Sequence, residues 1–182
     1  MYSTEHQCAV LGDYDLAILL GIPRVRGTDR TGTVTFMAID LLAEEYWNGL
    51  IKRQYHHELE AFVWVLPFVF FRYQGGVAVP NTVVEEWMTS DYAQCHKEKS
   101  SFLRKLREHR RGEGVQPDFK EVWPIAFQLL SWLFMESAAA LLRDDSSISE
   151  ATARAGFVNA VNSVPRLEYL NDLLQYLRSA PA

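Results

Sequence analysis

The chain has 182 residues, of which 48% are hydrophobic and 13% aromatic, and a formal net charge of −5. This is enough apolar sequence for one core of ordinary size, and the acidic balance argues against a general nucleic-acid binder, whose footprint is basic. Its two cysteines, Cys8 and Cys95, lie far apart and outside any C-x-x-C pattern, so a disulfide framework is not expected and a reducing, intracellular setting (cytoplasmic or nuclear) is the simplest one.

The N-terminal M-Y-S-T-E-H-Q-C lacks the basic-then-apolar order of a signal peptide, and residues 1–8 read as frayed or as a strand edge. Ala9–Gly12 has strand character and runs into Asp13-Tyr14-Asp15. Side chains alternate along an extended segment, so Asp13 and Asp15 can project together with Tyr14 opposite. Two convergent carboxylates suit Mg²⁺, which takes one or two protein carboxylates and completes its shell with phosphate and water. The simpler account of such a pair is a turn whose carboxylates cap backbone groups. Ile18–Thr35 follows as a polar loop in which Arg24, Arg26 and Arg30 alternate with Thr28, Thr31, Thr33 and Thr35. It reads as a solvated loop, with ordering by a phosphothreonine–arginine pair as the second reading. Gly32–Leu42 then spells G-T-V-T-F-M-A-I-D-L-L.

Further on, Glu58–Gln74 is expected to be the central helix. Leu59, Phe62, Val63, Leu66, Phe70 and Phe71 recur at helical spacing while Val65 and Val69 fill the other faces, which predicts burial on nearly all sides and a kink at Pro67. His56 and His57 are adjacent and read as cap or surface residues rather than metal ligands. Gly75–Pro80 is a turn. Asn81 or Thr82 is expected to cap a helix through Val83, Val84, Trp87 and Met88. Ser90-Asp91 opens a helix over Tyr92–Arg111, whose Lys97, Lys99, Arg104, Lys105, Arg107, Arg110 and Arg111 form a basic, solvated face above a stripe of Phe102, Leu103 and Leu106. Gly112–Asp118 reads as a linker, Val122–Leu142 as a long core helix, and Ala151–Ala160 and Leu167–Leu177 as the last two helices. Phe62–Phe71 is about half the length needed to cross a bilayer, and Val122–Leu142 carries Pro124, Gln128, Ser131 and Glu136. No membrane span is expected.

A strand ending in D-Y-D, a polar loop and G-T-x-x-F-M-A-x-D-L-L together resemble a protein kinase activation segment, opened by D-F-G and closed by A-P-E. Tyr55–Leu66, Y-H-H-E-L-E-A-F-V-W-V-L, is similar to the H-D-L-E-S-x-x-W-V-L helix of the fungal-type protein kinases, which also favour D-W-D or D-F-D and F-M-A-x-x-L-L. The resemblance is clear over about residues 9–103. It implies a mainly α fold: the C-terminal lobe of a protein-kinase-like domain, with the N-lobe and catalytic loop missing, as a single partial domain over 1–182 (activation segment 13–40, central helix 58–74, C-terminal helices 83–178). By the same resemblance Asp13, with Asp15 second, is the Mg²⁺ ligand. Thr28, Thr31, Gly32 and Thr33 belong to the activation segment, Gly32-Thr33 shaping the substrate-docking turn. Asp40 stands at the A-P-E glutamate and would pair with a late arginine, Arg154 first and Arg143 second. Glu58 stands where the family has an aspartate that holds the catalytic loop.

Kinase chemistry also needs a Gly-rich loop, a strand lysine and H-R-D-x-x-x-x-N. Residues 1–182 contain no H-R-D, and Gly75-Gly76 and Gly112-x-Gly114 are isolated. Mg²⁺ and ATP are thus implied for a full-length relative and are not expected to be bound by this stretch alone. The functional expectation is a partial Ser/Thr kinase domain, inactive by itself, acting on or with a protein partner. The alternative is a pseudokinase-like scaffold that self-associates through apolar surface, including Val10 and Leu11. A nucleotide-sugar transferase D-x-D comes last, since no alternating βα pattern accompanies it.

Overall fold

The structure, a computed structural model, describes residues 2–3, 8–9, 33–140 and 149–163. The chain divides into two compact units, Met1–Gly32 and Thr33–Ala182. In the first, β1 (Tyr2–Ser3) and β2 (Cys8–Ala9) pair antiparallel, Tyr2 opposite Ala9 and Ser3 opposite Cys8. Ala9 therefore has a neighbouring strand supplied by the N-terminal residues, which sequence reading had left as an edge. Asp13, Asp15, Thr28, Thr31 and Gly32 lie outside the described residues, as do Val10, Leu11, Arg143 and the helix expected at 167–177.

The second unit is helical. A 3₁₀ turn at Val34–Phe36 leads into the short helices α1 (Ile39–Leu42) and α2 (Glu44–Trp47). The long central helix α3 (Tyr55–Arg72) follows, then a hairpin of β3 (Tyr73–Gln74) and β4 (Val77–Ala78). Next come α4 (Tyr92–Arg104), α5 (Trp123–Ala140) and α6 (Glu150–Asn162). The mainly α expectation holds. Among the described residues no helix is long and apolar enough to cross a membrane.

Helix α3 starts three residues before the sequence-based boundary because a capping box forms there. The Gln54 side chain accepts from the His57 amide, and the His57 ring accepts from the Gln54 amide. Its far end is closed as completely. The last four carbonyls of a helix have no partner within it. Here Tyr73 N–H reaches Val69, Val79 N–H reaches Arg72, and Gln116 serves the two between, its amide bonding to Phe70 and its side chain to Phe71. The segment read as a linker, Gly112–Asp118, is thus a strap across the end of α3, and Asp118 also holds Gln74 and the Gly75 amide.

Burial on α3 runs along one face, through His57, Leu59, Val63, Trp64, Pro67, Phe68 and Phe71. The expectation of burial all round is corrected at Phe62, which is 65% exposed, and at Val65. Pro67 sits inside the helix and leaves the Val63 carbonyl without its usual donor. Around the buried face an edge-to-face aromatic array joins four elements: Trp64 to Trp87, Trp87 to Phe102, Phe102 to Phe71, and Phe71 to Trp123, with centroids 5.1 to 5.7 Å apart. Contacts of this kind add about 0.5–1.5 kcal/mol each beyond area burial.

Two other predicted elements are shorter than expected. The helix through Val83–Met88 is only a 3₁₀ turn, Glu85–Trp87, because Asn81 takes a positive φ of 60° and turns the chain there. Helix α4 stops at Arg104 and passes through a 3₁₀ turn at Leu106–His109. Both Gly75 and Gly76 have positive φ, as a two-residue hairpin loop requires.

Helices α5 and α6 meet at Gly156, where an added Cβ would lie 2.6 Å from Trp132 Nε1. Gly156→Ala gains about 1 kcal/mol of helix propensity, but overpacking costs about 1–3 kcal/mol. The variant is expected to be less stable by about 1 kcal/mol in urea unfolding; a more stable variant would show that Trp132 moves aside without cost.

Candidate functional site

The segment that carries the sequence motif, Thr33–Leu42, is held at four points, three by side chains from elsewhere and one by its own Thr35. Thr35 Oγ1 donates to the Trp87 carbonyl at 3.2 Å. Glu60 Oε1 accepts from the Ile39 amide at 2.8 Å and from Trp64 Nε1 at 2.9 Å. Cys95 Sγ donates to the Val34 carbonyl at 3.6 Å, and Lys99 Nζ donates to the Met37 carbonyl at 2.6 Å. Beneath these bonds Met37, Ala38, Leu41 and Leu42 are buried. A short turn has too few internal hydrogen bonds to fix its own shape; the clasp from α3 and α4 supplies what the local sequence lacks.

Lys99 is the centre of the clasp and corrects the sequence reading. It was assigned to the solvated basic face, yet its side chain is fully buried, with the ammonium 4.5 Å above the Trp64 ring. Burying an ammonium costs several kcal/mol. A charge-assisted hydrogen bond returns roughly 1.5–3 kcal/mol and a desolvated cation–π contact about 2. Compensation is thus incomplete, and burial lowers the Lys99 pKa to about 8, with Cys95 and Glu60 opposing the fall. Burial likewise raises the Glu60 carboxyl, against the bonds from Trp64 and Ile39, and raises the Cys95 thiol. The signal for Lys99 is present in the sequence. Cys95, Lys99, Phe102, Leu103 and Leu106 follow the i, i+4, i+7, i+8, i+11 pattern of a single buried stripe.

Of the remaining sequence-predicted residues, Thr33 is exposed and precedes the 3₁₀ turn without a side-chain capping bond. Glu58 is exposed and paired with Arg53 at 2.7 Å. Arg154 is exposed on α6 and forms no ion pair with Asp40. The partner of Asp40 is instead His57, with Nε2 3.8 Å from Oδ2. That pairing is local because the Ile39 amide at the start of α1 is bonded to Glu60 of α3, near His57, which is fixed by the capping box. The neighbouring imidazole holds the Asp40 carboxyl below its usual value, although burial pushes it the other way.

Of the cap and surface readings of His56 and His57, the cap one holds for His57, and the surface one does not. His57 is buried, and the rings lie 3.9 Å apart at 57°. Residues at i and i+1 diverge by about 100° on a regular helix; at this helix start the side chains nonetheless converge. Burial first, and His57 second, lower the His56 pKa to about 4. Among the described residues, Asp40, His56 and His57 form a group able to hold a metal ion, with one ligand atom from each within 4.8 Å of the others.

Stability should report the buried lysine. Lys99 has a folded pKa of about 8 against the 10.5 of a lysine in water. Between those values the unfolded chain binds the extra proton, so stability rises with pH in that window and the cost of burying the charge is fully present below it. The stability of the unmodified chain relative to Lys99→Met is expected to grow by about 2 kcal/mol between roughly pH 7.5 and pH 9.5. An unchanged difference in urea unfolding would rule out a low-pKa lysine here.

Residues 2–70 match the family described as fungal protein kinase. No curated protein and no solved structure matches the chain. The matched stretch extends from β1 to nearly the end of α3, so it contains the clasped segment, Glu60, which holds the Ile39 amide, and Trp64, which bonds to Glu60. Over these residues, fewer than half of the chain, the sequence is similar to that family.

Proposed function

We propose that the chain is the substrate-docking side of a fungal-type protein kinase, in which Thr33–Leu42 is the closing part of the activation segment. The observation that carries this reading is the clasp. A segment that positions a peptide hydroxyl must hold its backbone to within a fraction of an ångström, and four side-chain bonds to α3, α4 and the Glu85–Trp87 turn supply that rigidity. In this reading Asp13, with Asp15 second, is the Mg²⁺ ligand, Thr28, Thr31 and Gly32 precede the clasped turn, and the partner is a protein bearing a Ser or Thr hydroxyl.

Phosphoryl transfer is almost entirely positioning and charge stabilisation by parts that include H-R-D, the strand lysine and the Gly-rich loop. Residues 1–182 supply none of the three, so in this reading the stretch is inactive by itself, Asp13 alone being insufficient to hold ATP and Mg²⁺. Purified chain incubated with labelled ATP, Mg²⁺ and a Ser/Thr-rich protein is expected to transfer no phosphate. Transfer that disappears in Asp13→Asn would refute the inactivity. The kinase reading itself is tested by sequencing the gene upstream of the Met1 codon: in-frame codons for H-R-D-x-x-x-x-N support it, and an unrelated frame removes it.

A scaffold role is the second reading, favoured by apolar side chains left in solvent on three helices: Phe62 at 65% exposure, Met135 at 65%, and Val158 at 46%. Such surface promotes association. Sedimentation velocity is expected to show concentration-dependent oligomers under this reading; a single monomeric species across the accessible range would count against it.

A further inference from the structure

We propose that Asp40, His56 and His57 form a binding site for one divalent late-transition-metal ion of the Zn²⁺ type. The site would join α1 to the first turn of α3. This inference stands on geometry and does not depend on the kinase reading.

Three observations converge on it. The donor set is two imidazoles and one carboxylate, the chemistry that suits Zn²⁺ and its neighbours better than Mg²⁺ or Ca²⁺. His57 Nε2 and His56 Nδ1 are both buried with no hydrogen-bond partner, and the His57 residue is only 2% exposed. Buried polar atoms are nearly always paired, yet His56 Nδ1 has no hydrogen-bond partner and His57 Nε2 has only the Asp40 carboxylate, at 3.8 Å, too long for a hydrogen bond, so the place calls for a ligand. Asp40 is the third donor, and its side chain is 56% exposed, which gives an ion a path from solvent and leaves room for a bound water as fourth ligand.

The distances require closure. A tetrahedral ion with bonds near 2.0–2.1 Å keeps its ligand atoms about 3.4 Å apart, whereas here they spread over as much as 4.8 Å. His57 is fixed by its burial and its cap. The exposed Asp40 and the half-buried His56 are the side chains free to move inward.

The hydrogen bond at the other His57 nitrogen sets the cost of loading the site. The Gln54 amide donates to Nδ1 at 3.0 Å, so the neutral ring carries its proton on Nε2, facing Asp40. An ion on Nε2 displaces that proton to Nδ1, and the Gln54 bond is lost. The ring keeps one proton throughout. A lost capping bond lowers affinity by about tenfold, a small fraction of what three such ligands supply. Binding should therefore disturb the Gln54 amide, which an ion resting on an exposed histidine would leave alone.

The test uses the whole chain and Co²⁺ as a visible probe, with Zn²⁺ as competitor. One Co²⁺ per chain is expected, giving the d–d absorption of a four-coordinate site and displaced by Zn²⁺. Hydrogen-exchange protection of the Gln54 amide should fall on loading. Because His57 also caps α3, the decisive substitutions are Asp40→Asn and His56→Gln. Each is expected to weaken binding at least tenfold, while His6→Gln leaves it unchanged. Absence of saturable Co²⁺ binding, or binding unaltered in both variants, would overturn the site and leave the Asp40 carboxylate and the His57 ring as neighbours alone.

Discussion

One buried hydrogen bond, from the Lys99 ammonium to the Met37 carbonyl, fixes the relation between the motif segment and the helices beneath it. It is made by a charge that would be better solvated elsewhere, and its surroundings are arranged to tolerate it. Trp64 lies under the ammonium, and the Trp64 indole is oriented by its bond to Glu60. Glu60 in turn holds the Ile39 amide. The same side chains thus serve the lysine and the turn together, so removing one member leaves another buried group without its partner. Buried polar networks of this kind favour a single geometry because partial satisfaction is costly.

The aromatic array gives that network a rigid floor. Trp64 participates in both, meeting Lys99 on one side and Trp87 on another. Trp87 also lends its carbonyl to Thr35. Any shift of the 3₁₀ turn at Glu85–Trp87 would therefore be felt at Thr35. The Arg72–Glu85 ion pair at 2.8 Å and the Glu85 bond to the Asn81 amide restrain that turn from the side of α3. Packing and polar contacts point to one arrangement of Thr33–Leu42, a consistency expected of a well-specified fold.

How much of this was legible in the sequence depended on whether the deciding partner was near or far along the chain. The helical character of α3, α5 and α6, the helix start at Ser90-Asp91, and the two-glycine turn follow from spacing and local chemistry, and they match the structure. Lys99 was misplaced because lysine is rarely buried without a partner, and its partner is a carbonyl 62 positions away. The convergence of His56 and His57 escaped because the 100° rule describes the body of a helix, whereas a capping box re-aims side chains at its start. Arg154 was chosen for Asp40 by chain order alone, and chain order cannot detect an imidazole held beside the carboxylate by packing. Gly112–Asp118 has linker composition, yet Gln116 inside it makes two bonds that only the folded chain reveals.

Those two Gln116 bonds also bear on how the unit assembles. The last turn of α3 is complete only when residue 116 has arrived, more than forty positions after the carbonyls it serves. During synthesis the central helix therefore emerges with its terminal carbonyls dependent on water, while its apolar face lacks both Phe102 and Trp123. Closure of such distant contacts costs chain entropy before it returns any stabilisation. The unit should consequently gain its native order late and cooperatively, with α3 as the last-finished element although it is among the first made.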